Sequence, residues 1–146
     1  MNASEPPVVY REGLPEAGPY LALFETTGWN DMYRCSADEL KEALRRSWYA
    51  ISAYQDEVLV GFGRLVSDGV LYAVVFDMVV APDRQRRGIG SEILNRLLAR
   101  CVEAGIRDVL LFAARGTRSF YRRHGFTPRP DDAPGMILRR ERTPAS

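Results

Sequence analysis

The chain is poor in the residues that build metal and disulfide sites. Its 146 residues include two cysteines, one histidine and a single lysine, Lys41. Cys35 and Cys101 show no metal or redox spacing, and His124 alone cannot make a histidine-rich metal site. No metal is therefore expected, and no disulfide in a reducing compartment. Long apolar runs are also missing: stretches such as residues 70–76 are far too short to cross a bilayer. Residues 1–8 lack the basic-then-apolar layout of a secretory signal. The sequence thus reads as cytoplasmic, with no membrane partner. An excess of one charge is nearly absent, at +1 overall. That argues against general nucleic-acid binding.

What is present fits a globular protein. Hydrophobic residues make up 46% and charged residues 27%, enough apolar surface for a core and too much for a disordered chain. Residues 1–146 are expected to form a single domain, with polar residues 1–7 as a loose tail. The charges are unevenly spread. Residues 1–83 carry 6 basic and 13 acidic side chains, and residues 84–146 carry 14 basic and 6 acidic. An anionic ligand on the C-terminal half follows naturally, with a cationic one on the other. Nineteen of the 20 basic residues are arginine, which suits bidentate phosphate binding; an arginine-rich codon bias would give the same count.

Residues 8–11 read as a first strand, and residues 20–26 as a short helix. Residues 28–31 form a turn carrying Trp29. Ser36 and Glu39 have the spacing of a capping box, and the helix they open runs to about Arg46. Three strand-like runs follow, at residues 49–54, 58–67 and 70–81. Turns lie at residues 55–57 and at Asp68–Gly69. Residues 88–104 form a strongly amphipathic helix with Ile89, Ile93, Leu94, Leu97 and Cys101 on its apolar stripe, stopped by Gly105. Residues 109–114 make a short strand and 117–124 a short helix stopped at Gly125. Residues 136–140 make a last strand.

The most informative segment is Val79-Val80-Ala81-Pro82-Asp83-Arg84-Gln85-Arg86-Arg87-Gly88-Ile89-Gly90-Ser91. A strand ends, a basic turn follows, and a helix starts at two glycines. The first amides of a helix lack intrahelical partners, and the helix dipole places roughly half a positive charge there. Glycine lets an anion approach the backbone, so this is a phosphate-binding layout. It is neither a Walker A loop nor a dinucleotide fingerprint, since no Gly-Lys-Ser/Thr follows and Ile93 stands where a third glycine belongs. A tight turn that needs glycine only for packing would look the same.

Gln85-Arg86-Arg87-Gly88-Ile89-Gly90 resembles the Q/R-x-x-G-x-G/A signature of the GNAT superfamily of acetyl-CoA-dependent N-acetyltransferases. Three further features are similar to that family in the right order. They are the strand ending in Val80-Ala81-Pro82, the helix that follows the turn, and Phe120-Tyr121-Arg122-Arg123-His124-Gly125-Phe126. The resemblance covers about residues 58–126. It implies an α/β (α+β) fold with a mixed, mostly antiparallel sheet flanked by helices and splayed at the acetyl-CoA site. It also implies acetyl-CoA as co-substrate. Its pyrophosphate would lie on backbone amides of Gln85, Arg86, Arg87, Gly88, Ile89, Gly90 and Ser91. Its pantetheine arm would lie along main-chain groups of Met78, Val79 and Val80, with Phe120 near it. Such an arm extends the sheet as an added strand would.

By the same resemblance Tyr121 is the acid that protonates the leaving thiolate; a partly buried helix tyrosine is the plainer alternative. The family often places Glu or His at the positions of Val74 and Phe76, and both are apolar here. Asp77 is the only carboxylate in the strand and the candidate base. Strand alternation points it away from Phe76 and Met78 unless a bulge re-aims it, and a buried structural carboxylate is the competing reading. The implied partner is a primary amine, with the acidic N-terminal half favouring a small cationic one. Homodimers are common in the family. The missing Glu or His also supports a second class, an acyl-CoA-binding regulatory module with little catalysis.

Overall fold

The computed structural model describes residues 4–140. They form two compact units, one reaching Leu111 and the other starting at Phe112.

In the first unit the elements run β1 (Val8–Glu12), α1 (Ala17–Glu25), α2 (Asn30–Tyr33), α3 (Ala37–Arg45), β2 (Tyr49–Gln55), β3 (Val58–Ser67), β4 (Tyr72–Val80), a 3-10 turn (Pro82–Arg84), α4 (Ile89–Ala104) and β5 (Asp108–Leu111). The five strands form one sheet in chain order. The first three pairings are antiparallel and β4 pairs with β5 in parallel. This is the mixed, mostly antiparallel sheet that the sequence predicts. The antiparallel order follows from short connections, while the one parallel pair needs α4 as its crossover.

One sheet face carries α4, which packs on β2, β3 and β4. Ile89, Ile93, Leu94, Leu97 and Cys101 are buried along it, at the spacing that turns one helix face inward. Close approach needs glycine: a Cβ on Gly63 would lie 2.5 Å from Met78 Sδ and 2.8 Å from Ile93 Cγ2. The other face carries α1 and α3. Tyr20, Leu23, Phe24, Leu40 and Leu44 meet Ala50, Leu59, Phe62 and Val79 there. The capping box forms as expected, with Glu39 N–H on Ser36 Oγ at 3.1 Å and Ser36 N–H on Glu39 Oε1 at 3.3 Å. Such caps contribute about 1 kcal/mol.

Several local readings shift. The turn expected at residues 28–31 becomes the short helix α2, because Asn30 bonds the backbone of Cys35 in both directions, at 2.7 and 3.1 Å. The Asp68–Gly69 turn widens to residues 68–71, where the Asp68 carboxylate accepts from the amides of Val70, Leu71 and Tyr72. Those bonds hold its pKa below the ordinary aspartate value. The strand expected at residues 109–114 ends at Leu111. Of the expected tail, residues 1–3 lie outside the described residues. Residues 4–7 lack regular structure, and the Pro6 carbonyl accepts from Gln55 Nε2 at 2.7 Å.

The second unit contains α5 (Arg118–Arg123). It ends in a Schellman stop: Gly125 (φ 93°) donates to Arg122 and Phe126 to Tyr121. The strand expected over residues 136–140 does not form. Those residues are irregular, and Met136, Ile137 and Leu138 are exposed, without the ladder partner a strand requires.

Candidate active site

Strand β4 changes character half-way. Residues 72–75 pair with 108–111 of β5, and the pairing stops there. From Phe76 to Val80 no strand among the described residues pairs the edge of β4 on the β5 side. A bulge sits at that point. Phe62 faces Val79 and Arg64 faces Phe76, so Gly63 opposes both Asp77 and Met78. Asp77 takes the left-handed conformation (φ 56°), sparsely populated for a residue with a Cβ. An extra residue bends and twists a strand, which matches the divergence from β5 beginning beside it.

The bulge also re-aims Asp77. Its Oδ2 accepts from Arg64 Nε at 2.6 Å, on the sheet face that Arg64 shares with Phe76. Arg64 also donates to the Ala43 carbonyl (3.2 Å) and Ser47 Oγ (3.3 Å) at the C-terminal end of α3. Its guanidinium carbon lies 5.8 Å from the Phe76 ring centre. The pair is 15% and 22% exposed. Strict alternation alone would have sent Asp77 to the opposite face.

Beside this pair the α1 side of the sheet is left uncovered: Val66, Tyr72 and Phe76 are exposed. On the α4 side Ala73 and Val75 are buried. Tyr20, from α1, is 1% exposed, and its hydroxyl has no hydrogen-bond partner among the described residues. Burial chiefly, with the Asp77 charge adding, raises its pKa far above the ordinary phenol value. Tyr20 packs edge-on against Phe62 at 4.9 Å.

Beyond β4 the turn brings the predicted phosphate residues together. Arg86 (φ 64°) and Gly88 (φ 86°) are left-handed, and α4 begins at Ile89 behind Gly88, an N-cap with no side chain to bond the first amides. Ile89 is buried, so what it can offer a ligand is its backbone. Gln85 Nε2 donates to the Val80 carbonyl at 3.1 Å and braces the turn. Arg84 Nε donates to the buried Gln55 at 2.6 Å. Arg87, expected to attract phosphate, pairs with Glu5 at 2.6 Å. Both partners are well exposed, and such pairs contribute about 0–1 kcal/mol. A helix start with glycine at the cap and arginines beside it fits the phosphates of acetyl-CoA, and the open edge of residues 76–80 fits its amide-bearing arm.

In the second unit the Tyr121 ring lies 5.0 Å from Phe120 and 5.9 Å from Phe126. The Tyr-x-x-x-Gly-Phe spacing is that of the Schellman stop and its hydrophobic contact. Burial raises the Tyr121 pKa, so the phenol keeps its proton at neutral pH. His124 caps α5, 5.0 Å from the Phe120 ring. Among the described residues no three His, Cys, Asp or Glu side chains gather as a metal site. No described helix is long and apolar enough to cross a membrane.

Sequence reasoning missed Arg64 and Tyr20. A signal for Arg64 existed: one cation in an apolar strand, across a hairpin from the one carboxylate of the next strand.

A β4 strand opened from β5 and running into a glycine-capped helix defines the class. The chain belongs to the acetyltransferase (GNAT) family, whose sequence profile matches residues 16–126. Acetyl-CoA-dependent N-acetylation is that family's general reaction. The chain is 35% identical over 119 residues to an uncharacterized N-acetyltransferase, ycf52, of Porphyra purpurea, covering 79% of this chain and 67% of that protein. It is 36% identical over 113 residues to serotonin N-acetyltransferase 2, chloroplastic, of Oryza sativa subsp. japonica, covering 75% and 56%. The chain thus spans about two thirds or less of these relatives' lengths. A GNAT-family acetyltransferase structure from Streptococcus pneumoniae superposes with a TM-score of 0.77 at 28% identity, covering 92% and 99% of the two chains. A Trypanosoma brucei acetyltransferase shares the fold with a TM-score of 0.69 at 20% identity, covering 91% and 99%.

Proposed function

We propose that the protein transfers acetyl from acetyl-CoA to a small primary amine by direct attack in a ternary complex. The observation that carries this reading is the opened half of β4 leading through the turn into the glycine-capped start of α4. Amides of Gln85, Arg86, Arg87, Gly88, Ile89, Gly90 and Ser91 hold the pyrophosphate. Main-chain groups of Met78, Val79 and Val80 bind the pantetheine arm. A strand N–H offers a hydrogen bond to the thioester oxygen as charge develops there.

Two protons must move. An alkylammonium has a pKa near 10.4, so freeing the amine at pH 7 costs about 5 kcal/mol. Asp77, the one carboxylate of β4, accepts that proton. The amine nitrogen bonds to the acetyl carbon, the C–S bond breaks, and the sulfur takes the Tyr121 hydroxyl proton. The second proton leaves the product nitrogen to water, Asp77 passes its own proton to solvent, and solvent reprotonates Tyr121. The products are the acetamide, free CoA thiol and one proton released to solvent.

The exposed apolar residues beside Asp77 suit an amine with an apolar body. The rice relative is named for serotonin, an amine of that kind, so arylalkylamines head the acceptor panel. The test is acceptor-dependent thiol release beside calorimetric titration of acetyl-CoA. Tyr121→Phe should lower kcat by about 10–100-fold with acetyl-CoA affinity kept; an unchanged kcat removes the acid role. The commitment of Asp77 to Arg64 favours one second reading, an acyl-CoA-binding regulator. Tight binding with no release across the panel would support it.

A further inference from the structure

We infer that Arg64 is the positioning residue of the site: by clamping the Asp77 carboxylate to the end of α3 it holds the β4 bulge, and through it the open edge of residues 76–80. This rests on the reading of that edge as the acetyl-CoA slot. A cation inside an apolar strand is costly unless it is paired, so its partners indicate what it is kept for. Arg64 reaches Asp77, Ala43 and Ser47 at once. It therefore links the bulge to the last turn of α3, where helix carbonyls carry partial negative charge. Asp77 sits in a backbone conformation that side chains disfavour, and a bond of 2.6 Å to a fixed guanidinium holds it there. Gly63 leaves the room opposite: a Cβ there would strike Met78. Without the clamp an unpaired carboxylate is left half-buried, and the strand gains by relaxing toward regular pairing. A one-residue slip exchanges the faces of every side chain beyond it. The pantetheine edge would close or turn away.

The experiment is calorimetric titration of acetyl-CoA into the wild type, Arg64→Ala, Arg64→Lys, Asp77→Gly, Asp77→Ala and the Arg64→Ala/Asp77→Gly double variant. Thermal unfolding shows that each is folded. Glycine adopts φ near 56° without steric cost and alanine does not. Expected results are a loss of about tenfold or more in Arg64→Ala and partial recovery in Arg64→Lys. Asp77→Gly should bind within about threefold of wild type, and about fivefold tighter than Asp77→Ala. The double variant should match Asp77→Gly, because Arg64 acts through the bulge alone. A purely structural arginine would lower melting temperatures in every background and would not produce the glycine-over-alanine order. Wild-type affinity in Arg64→Ala overturns the inference, as does an equal loss when Arg64 is removed from Asp77→Gly. If Arg64→Ala does not fold, Arg64→Lys and the double variant decide. Failure of the wild type to bind acetyl-CoA overturns the slot reading itself, a distinct result.

Discussion

The two halves of β4 obey different rules. Residues 72–75 alternate cleanly, with Ala73 and Val75 buried under α4 and Tyr72 exposed, and residues 73–75 are paired on both edges. Residues 76–80 carry the bulge, the left-handed Asp77, the Arg64 clamp and an unpaired edge. Regular pairing gives the first half its stability. The second half gives up pairing on one edge, the arrangement by which a strand can bind an extended ligand. The sheet thus supports its own defect: α4 packs on the regular half, and the opened half emerges from it as the proposed acetyl-CoA edge.

That contrast can be broken most severely from the regular half. Leu97→Ala, at a fully buried position on α4, should cost 2–5 kcal/mol of stability, as large-to-small core changes do at roughly that size. Urea unfolding measures it. Acetyl-CoA affinity of the folded fraction should stay within about twofold; a larger loss would mean that the halves are not separable.

Gly63→Ala attacks the bulge. Its Cβ must displace Met78 or Ile93, and overpacking of this kind costs about 1–3 kcal/mol. Unlike the core change it should also weaken acetyl-CoA binding severalfold in calorimetry.

Alkaline pH acts on both faces of the sheet. Burial raises the Tyr20 pKa, and burial together with the hydrogen bond to Glu12 pushes Tyr49 up to about 12. A tyrosine whose pKa is higher folded than unfolded contributes stability that is complete below its unfolded value of about 10 and is lost as pH rises through the folded one. Unfolding monitored from pH 9 to 12 should show falling stability above about pH 10. Tyr49→Phe should flatten part of that slope, and no change in slope would contradict the assignment.

The smallest effect lies at the far end of the opened half. Glu5→Gln frees Arg87 and should tighten acetyl-CoA binding by about threefold or less, as expected for an exposed pair. The gain should vanish at high salt, where screening removes it. Equal affinities at low salt would mean that Arg87 does not serve the phosphates.

The legible parts of the site were local ones. The glycines of the turn, the stripe of α4, the Ser36 capping box and the Tyr121–Phe126 spacing all act over a few residues, so their physics is written in neighbouring letters. Strand β4 was legible as a strand, but its bulge entered only as an alternative that the residues themselves could not decide. Asp77 looked misdirected because period-two alternation fails at an inserted residue, and whether a residue is inserted depends on the partner strand. The strand expected over residues 136–140 failed for the converse reason, since apolar composition cannot supply a ladder partner.

By itself, then, the chain's order of residues determined the elements, the phosphate turn and the family-like motifs, because backbone propensity, capping and periodicity act within a turn or two. Only the tertiary structure decided that β4 leaves β5 after Val75 and that Arg64 meets Asp77 across 13 positions. It alone placed Glu5 on Arg87 across 82. Those contacts join residues far apart in the chain, and they form only when packing of α1, α3 and α4 has brought the strands into register.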